Sequence, residues 1–322
     1  MSVTTVGELS EAEVLAVIMT GLKGSSSALV GPGDDAAVIA APDGRVVAST
    51  DTLVHGPDFR LAWSSGYDLG FKAAAVNLAD IAAMGARPTA LLLALAMPTE
   101  TSVSFVSDLA AGLRGGCDRL APGCAVEGGD LTVSDTLTIA VTALGSLDGR
   151  DPVRRSGARP GDVVAVAGRL GSSVRGLDIL FSRFRDADGT PAPVDLALLS
   201  PQERDDLAAH LRPEPPIAAG TAAAAAGANA MMDVSDGLLL DAARMADASG
   251  VTIDLDPPRD AVALRGGEDH ALLATFPGAM PSAFRVIGTV CKRSAHAVTI
   301  AGQAPVDRAG WDPYRDWDRT AG

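Results

Sequence analysis

The sequence predicts an α+β protein built from two mixed α/β domains. Three observations carry this. The chain has 322 residues, more than one ordinary small core holds. Short apolar runs of strand type alternate with alanine-rich segments whose apolar residues recur at helical spacing. A polar, arginine-rich stretch over 149–162 interrupts that pattern, which divides the chain into 1–149 and 150–322.

In chain order, Ser10 and Glu13 form a capping-box signature ahead of Val14, Val17 and Ile18, predicting a helix over 10–20. A glycine-rich loop over 31–35 follows. Residues 36–40 and 45–50 read as two strands joined by Pro42-Asp43-Gly44, a hairpin. The segment 67–84 is rich in alanine, keeps helical periodicity and ends at Gly85, with Pro88 beyond. A buried strand over 89–97, a helix over 102–120 and strands over 125–127 and 137–147 complete the first half. The second half opens on a strand over 163–167 and continues with helices over 172–185, 201–211, 216–227 and 236–249. Short strands are expected at 231–232, 270–276 and 297–300. The alanine run 222–226 reads as packed helix, since alanine has the best helix propensity.

Composition narrows the function. A formal net charge of −14 argues against a nucleic-acid binder, which needs basic surface to release counterions. Cys117, Cys124 and Cys291 make no Cys-x-x-Cys pair, so neither a disulfide framework nor a zinc knuckle is indicated, and a reducing cytoplasm fits. The N-terminus lacks a basic start followed by an apolar stretch, and the longest clean apolar run is 90–97, so neither export nor a membrane span is expected.

Standard nucleotide motifs are absent. Lys23, Lys72 and Lys292 are the only lysines and none follows a glycine, so no Walker A loop can be written; His-Arg-Asp and Asp-Phe-Gly do not occur either. Gly31-Pro32-Gly33-Asp34-Asp35-Ala36 has the spacing of a dinucleotide fingerprint. A strand is expected after it where the fingerprint needs a helix, and its two aspartates would repel a pyrophosphate.

Acids recur instead beside Gly, Ser, Thr and Ala: Asp34 and Asp35, Asp51, Asp80, Asp130, and Asp233 with Asp236. One aspartate in such a place is an ordinary turn former or helix cap. Seven of them, flanked by residues small enough to admit a ligand, point to magnesium held by hard oxygen ligands and hence to phosphoryl transfer. His55, His210, His270 and His296 show no zinc spacing.

These residues carry a resemblance over about residues 31–312. The segments are Gly33-Asp34-Asp35-Ala36-Ala37, Ser49-Thr50-Asp51-Thr52-Leu53, KAAAVNLADIAAMGARP over 72–88, Glu127-Gly128-Gly129-Asp130 and Arg155-Ser156-Gly157-Ala158. Further along stand Arg212-Pro213-Glu214-Pro215, Met232-Asp233-Val234-Ser235-Asp236-Gly237-Leu238, Gly266-Gly267-Glu268-Asp269 and Gly310-Trp311-Asp312. In this order and spacing the chain resembles the thiamine-monophosphate kinase family. The resemblance extends to the superfamily of aminoimidazole ribonucleotide synthetase and selenophosphate synthetase, whose members dimerise through their N-terminal domains and bind ATP near the interface. The first domain would then form a dimer-interface sheet or barrel, and the second a nucleotide and substrate domain.

Carried over by position, the resemblance implies magnesium ligands at Asp35, Ser49, Thr50, Asp51, Asp80, Asp130, Asp233 and Asp236. It implies ATP contacts at Gly129, Arg155 and Ser235, and acceptor contacts at Asp58, Glu268 and Tyr314. The implied reaction moves the ATP γ-phosphoryl group onto thiamine monophosphate, with no side chain acting as general base or covalent nucleophile. The sequence departs from the family at His55-Gly56-Pro57-Asp58-Phe59, where Glu-Gly-x-His-Phe is usual, and at His270-Ala271 and Gly171-Ser172-Ser173. The departures fall around the acceptor, so a related enzyme acting on another small phosphorylated acceptor is the alternative.

Overall fold

The structure is a computed structural model that describes residues 4–22, 28–29, 36–258, 260–305 and 310. The predicted loop acids Asp34 and Asp35, together with Tyr314, lie outside the described residues. The chain forms two domains, each around a mixed sheet. The first sheet comprises β1 (Val47–Val54), β2 (Arg87–Met97), β3 (Ala125–Val133) and β4 (Thr138–Ser146) in the order β1-β4-β2-β3. β4 is antiparallel to both β1 and β2, and β3 runs parallel to β2.

Three helices cover one face of this sheet region: α1 (Glu11–Gly21), α2 (Gly66–Ala83) and α3 (Val103–Leu120). α2 is almost wholly buried because alanine and glycine let its neighbours approach its backbone. A Cβ added at Gly70 would stand 2.0 Å from Leu109 O, and one at Gly112 would stand 2.1 Å from Tyr67 O. Such a crossing sets the position of every side chain α2 carries.

The second sheet contains β5 (Val163–Ala167), β6 (Ala230–Val234), β7 (Val251–Leu255), β8 (Ala271–Phe276), β9 (Phe284–Lys292) and β10 (Val298–Ile300), ordered β10-β7-β9-β5-β8-β6. Its helices are α4 (Ser172–Arg183), α5 (Pro201–Leu211), α6 (Ile217–Ala225), α7 (Leu238–Ser249) and the single turn α8 (Val262–Arg265). β5 is apolar throughout because both of its faces are covered. Ala165 and Ala167 join the core that α2 and the first sheet share, whereas Val164 and Val166 join a second core under α7. A third, smaller core holds Trp63 against Leu180, Phe184, Leu199 and Leu207, and the Trp63 indole donates to Phe184 O at 3.0 Å.

Most predicted elements are present within a few residues of their expected bounds. The N-terminal hairpin is not. The turn at Pro42-Asp43-Gly44 closes, with Gly44 N–H donating to Ala41 O at 2.9 Å, but 36–40 forms no strand. β1 pairs with β4, residue for residue from Val47↔Gly145 to Val54↔Thr138, a longer ladder than the five-residue hairpin could supply. β3 also runs to Val133, beyond the predicted end at 127, so Gly129 and Asp130 are extended strand. Gly129 is needed there because a Cβ would meet Leu93 O at 2.0 Å.

Candidate active site at the domain junction

α2 positions the first part of the site. Its N-terminus is fixed by a reciprocal cap: the Ser65 hydroxyl accepts from Asp68 N–H at 3.2 Å, and Asp68 Oδ2 accepts from Ser65 N–H at 3.1 Å. Arg212 of the second domain donates to Asp68 Oδ1 at 3.0 Å. Farther along the helix, Asn77 Oδ1 accepts from Asp51 N–H at 3.2 Å while its amide donates to Ala73 O at 2.9 Å. Asp80 Oδ2 accepts from the Ser49 hydroxyl at 2.5 Å.

Strand alternation decides which β1 residues reach α2. Ser49 and Asp51 share its side. Thr50 faces the opposite way, where its hydroxyl donates to Val141 O at 3.0 Å and accepts from Thr142 Oγ1 at 3.2 Å. The structure thus brings Ser49, Asp51 and Asp80 together and turns the Thr50 side chain away from them.

Across the junction stands Asp233 at the end of β6, whose Oδ2 lies 3.1 Å from His270 Nδ1. The carboxylates feel one another. Burial, and after it Asp233, raises Asp80 to about 6, with the Ser49 hydrogen bond pulling the other way. Burial is also the main cause raising Asp51; Asp233 and Asp236 add to it and His270 opposes them. Asp236 lies just beyond β6 and holds Arg244 Nη1 at 2.5 Å. Behind it the fully buried Asp241 accepts from Asp236 N–H at 3.0 Å and from Arg244 at 2.7 Å, and burial raises its carboxyl to about 6.

A second group lies beside this one. The segment preceding β8 sends three consecutive side chains to four elements. Glu268 Oε2 meets Lys72 Nζ of α2 at 2.9 Å and His210 Nδ1 of α5 at 3.3 Å. Asp269 accepts from the backbone N–H groups of Gly171 at 2.5 Å and Ser173 at 2.9 Å, filling the N-terminus of α4 with a carboxylate. His270 turns to Asp233. Burial pushes Glu268 up, but the Lys72 ammonium and then His210 outweigh it and hold its carboxyl at about 2. Asp58 stands within electrostatic reach of Glu268 and Lys72, and its Oδ2 accepts from Val54 N–H at 2.7 Å. His55 is held below its usual range by burial and by Arg60, which opposes any role as an imidazolium at neutral pH.

Of the remaining expected residues, Ser235 stays at the junction, and Gly129, Asp130 and Arg155 are placed elsewhere. Gly129 and Asp130 lie on β3, three strand positions from β1, or about 14 Å at the usual interstrand spacing. Asp130 pairs with Ala94 on the open face of the sheet, away from Asp51. Arg155 is exposed, with its carbonyl accepting from Ser249 Oγ at 2.9 Å. Ser235 O accepts from Glu268 N–H at 2.7 Å. Sequence reasoning gave no role to Lys72, His210, Asp241, Arg244 or Asp269. The scarcity of lysine, and the place of Lys72 at the head of the 72–88 segment, could have drawn attention to it.

Among the described residues no three Asp, Glu, His or Cys side chains stand close enough to enclose a metal ion. The chemistry of the donor set nevertheless suits magnesium. Asp51, Asp80 and Asp233 offer hard oxygens, and burial with the neighbouring carboxylates raises Asp80 and Asp51, a shift that a bound divalent cation would oppose.

Known proteins resemble the chain over nearly its whole length. Residues 33–147 match the family described as AIR synthase related protein, N-terminal domain, and residues 159–280 match its C-terminal domain. The thiamine-monophosphate kinase of Mycobacterium tuberculosis is 41% identical over 98% of this chain and 94% of its own length. The crystal structure of thiamine-monophosphate kinase from Stenotrophomonas maltophilia superposes with a TM-score of 0.75 at 30% identity, covering 92% of this chain and 98% of that one. AaThiL complexed with AMPPCP and TMP superposes with a TM-score of 0.71 at 29% identity, covering 97% and 99% respectively. With the acids of both domains meeting at one junction and near full-length similarity on both sides of it, the chain belongs to the thiamine-monophosphate kinase family.

Proposed function

We propose that the protein transfers the γ-phosphoryl group of ATP to thiamine monophosphate, giving thiamine diphosphate, at the junction between its domains. The observation that carries this is that Asp51, Asp80 and Asp233, from three elements, lie within electrostatic reach of one another in a chain 41% identical to the mycobacterial kinase. The AaThiL complex holds AMPPCP, an ATP analogue, together with TMP.

Magnesium would be held by Asp51, Asp80, Asp233 and Asp236 with Ser49, and with Asp35; when bound it supplies charge neutralisation and alignment of the phosphates. The protein's residues orient those groups. Ser49 fixes Asp80, Asn77 holds β1 at Asp51, and His270 fixes Asp233. No side-chain base is needed, because a phosphate monoester loses its second proton near pH ~6 and is mostly dianionic at neutral pH. Asp58, Glu268 and Tyr314 serve the acceptor; of the expected ATP contacts Ser235 lies at the junction and serves ATP there, whereas Gly129 and Arg155 stand apart from it.

The active form is a homodimer, with the domains divided near residue 150. The open face of the first sheet supports this reading. Ala48, Thr52, Leu92, Ala94, Ala96, Ala140 and Thr142 are small or apolar and partly or fully exposed, a surface whose burial against a second copy is favourable.

The test is product analysis after incubation of the purified protein with ATP, magnesium and thiamine monophosphate. Thiamine diphosphate and ADP should appear in equal amounts. ATP turnover only with a different phosphorylated acceptor would reject the thiamine assignment and keep phosphoryl transfer.

A further inference from the structure

The acceptor side of the junction contains a buried cation to which the reaction assigns no task. The Lys72 side chain is 5% exposed, and its ammonium meets Glu268 Oε2 at 2.9 Å. An ammonium out of water needs a compensating charge, so Lys72 and Glu268 constrain each other across the two domains.

The Glu268 backbone shows the same constraint. Glu268 and His270 are non-glycine residues at φ 60° and φ 50°. That conformation is strained for a residue with a Cβ and persists only where the surroundings impose it. The contacts that impose it are on every side. Glu268 N–H donates to Ser235 O at 2.7 Å and His270 N–H to Val234 O at 3.1 Å. Between them, the Asp269 carboxylate is locked on the first turn of α4.

The carboxylate so placed is open on one side. Lys72 and His210 both approach Oε2, and the Glu268 side chain remains 39% exposed. His210 contacts Ser173 Oγ at 3.1 Å and is neutral, while Lys72 is buried and Arg60 acts on Asp58, so the solvent-facing part of this group is the Glu268 carboxylate. An exposed carboxylate repels a phosphate dianion and attracts an organic cation.

We propose that Lys72 is a positioning residue for the acceptor: through its ion pair with Glu268 it holds that carboxylate where it receives the cationic, non-phosphate part of the substrate. This rests on the acceptor reading given above. Lys72 does not itself touch the substrate. Its effect therefore passes entirely through Glu268, and it leaves the ATP side untouched.

The experiment is steady-state kinetics of Lys72→Met, Glu268→Gln and the double variant, varying thiamine monophosphate and ATP separately, with calorimetry of thiamine monophosphate binding. Lys72→Met should raise the KM for thiamine monophosphate about tenfold or more and weaken calorimetric binding in parallel, with kcat and the KM for ATP within about twofold. Adding Lys72→Met to Glu268→Gln should cause no further loss. If Lys72→Met does not fold, Lys72→Gln, which keeps a donor but no charge, is read by the same criteria. A KM for thiamine monophosphate that stays within about twofold of the parent overturns the proposal, as do losses that multiply in the double variant. A parent protein that makes no thiamine diphosphate removes the acceptor reading and this inference with it, whereas an active parent with an indifferent Lys72 rejects this inference alone.

Discussion

His210 provides a stability test of the junction that needs no substrate. Its ring is 7% exposed, and burial, with the Lys72 ammonium next, lowers its pKa from 6.5 to about 3, while Glu268 opposes the shift. The unfolded chain takes up a proton at this residue as pH falls through 6.5, and the folded chain does not until about 3. The stabilisation is therefore intact above that upper value and is lost progressively below it. Between about pH 7 and about pH 5 the loss works out at roughly 2 kcal/mol. Glu268, held at about 2, titrates below this window and does not contaminate it. In His210→Gln the titration is gone and a polar contact to Ser173 can remain. Urea unfolding of parent and variant at the two pH values should show the parent losing about 2 kcal/mol more than the variant, at unchanged m. Equal acid losses in the two proteins would refute a neutral buried His210.

Gly70→Ala should destabilise the protein by about 2–3 kcal/mol, since α2 and α3 must part to admit the methyl group; a loss below about 0.5 kcal/mol in chemical denaturation would contradict the crossing described. Asp58→Asn keeps an acceptor for Val54 N–H and removes the charge, so it should raise the KM for thiamine monophosphate and leave that for ATP unchanged. Unchanged kinetics for both substrates would confine Asp58 to anchoring its own loop. Light scattering should find a dimer at micromolar concentration that Ala94→Arg, on the open face of the first sheet, converts to monomer. A parent that scatters as a monomer would remove the dimer proposal.

Local patterns were legible where the physics is local. The alanine periodicity and Gly85 mark α2 to within a residue, and Ser10 with Glu13 marks the start of α1. The hairpin failed because β1 is completed by β4, some ninety residues later in the chain, and nothing near Pro42-Asp43-Gly44 announces that partner. The acids were legible as a set because small residues flank each of them. Which ones meet was not: Asp51, Asp80 and Asp233 converge through long-range packing, while Asp130 is carried to the far side of the sheet. Lys72 and His210 look like an ordinary helix cation and helix end in sequence. Their meaning appears only when the second domain brings Glu268 against them.

Whether the carboxylates at the domain junction form the site of phosphoryl transfer is decided by Asp80→Asn. The amide can still accept the Ser49 hydrogen bond and nearly matches the carboxylate in volume, so the fold and its circular dichroism should be unchanged. Formation of thiamine diphosphate at moderate magnesium should fall by about a hundredfold or more, near 3 kcal/mol of transition-state stabilisation. Turnover within about threefold of the parent, by a variant that is folded, would place the chemistry elsewhere.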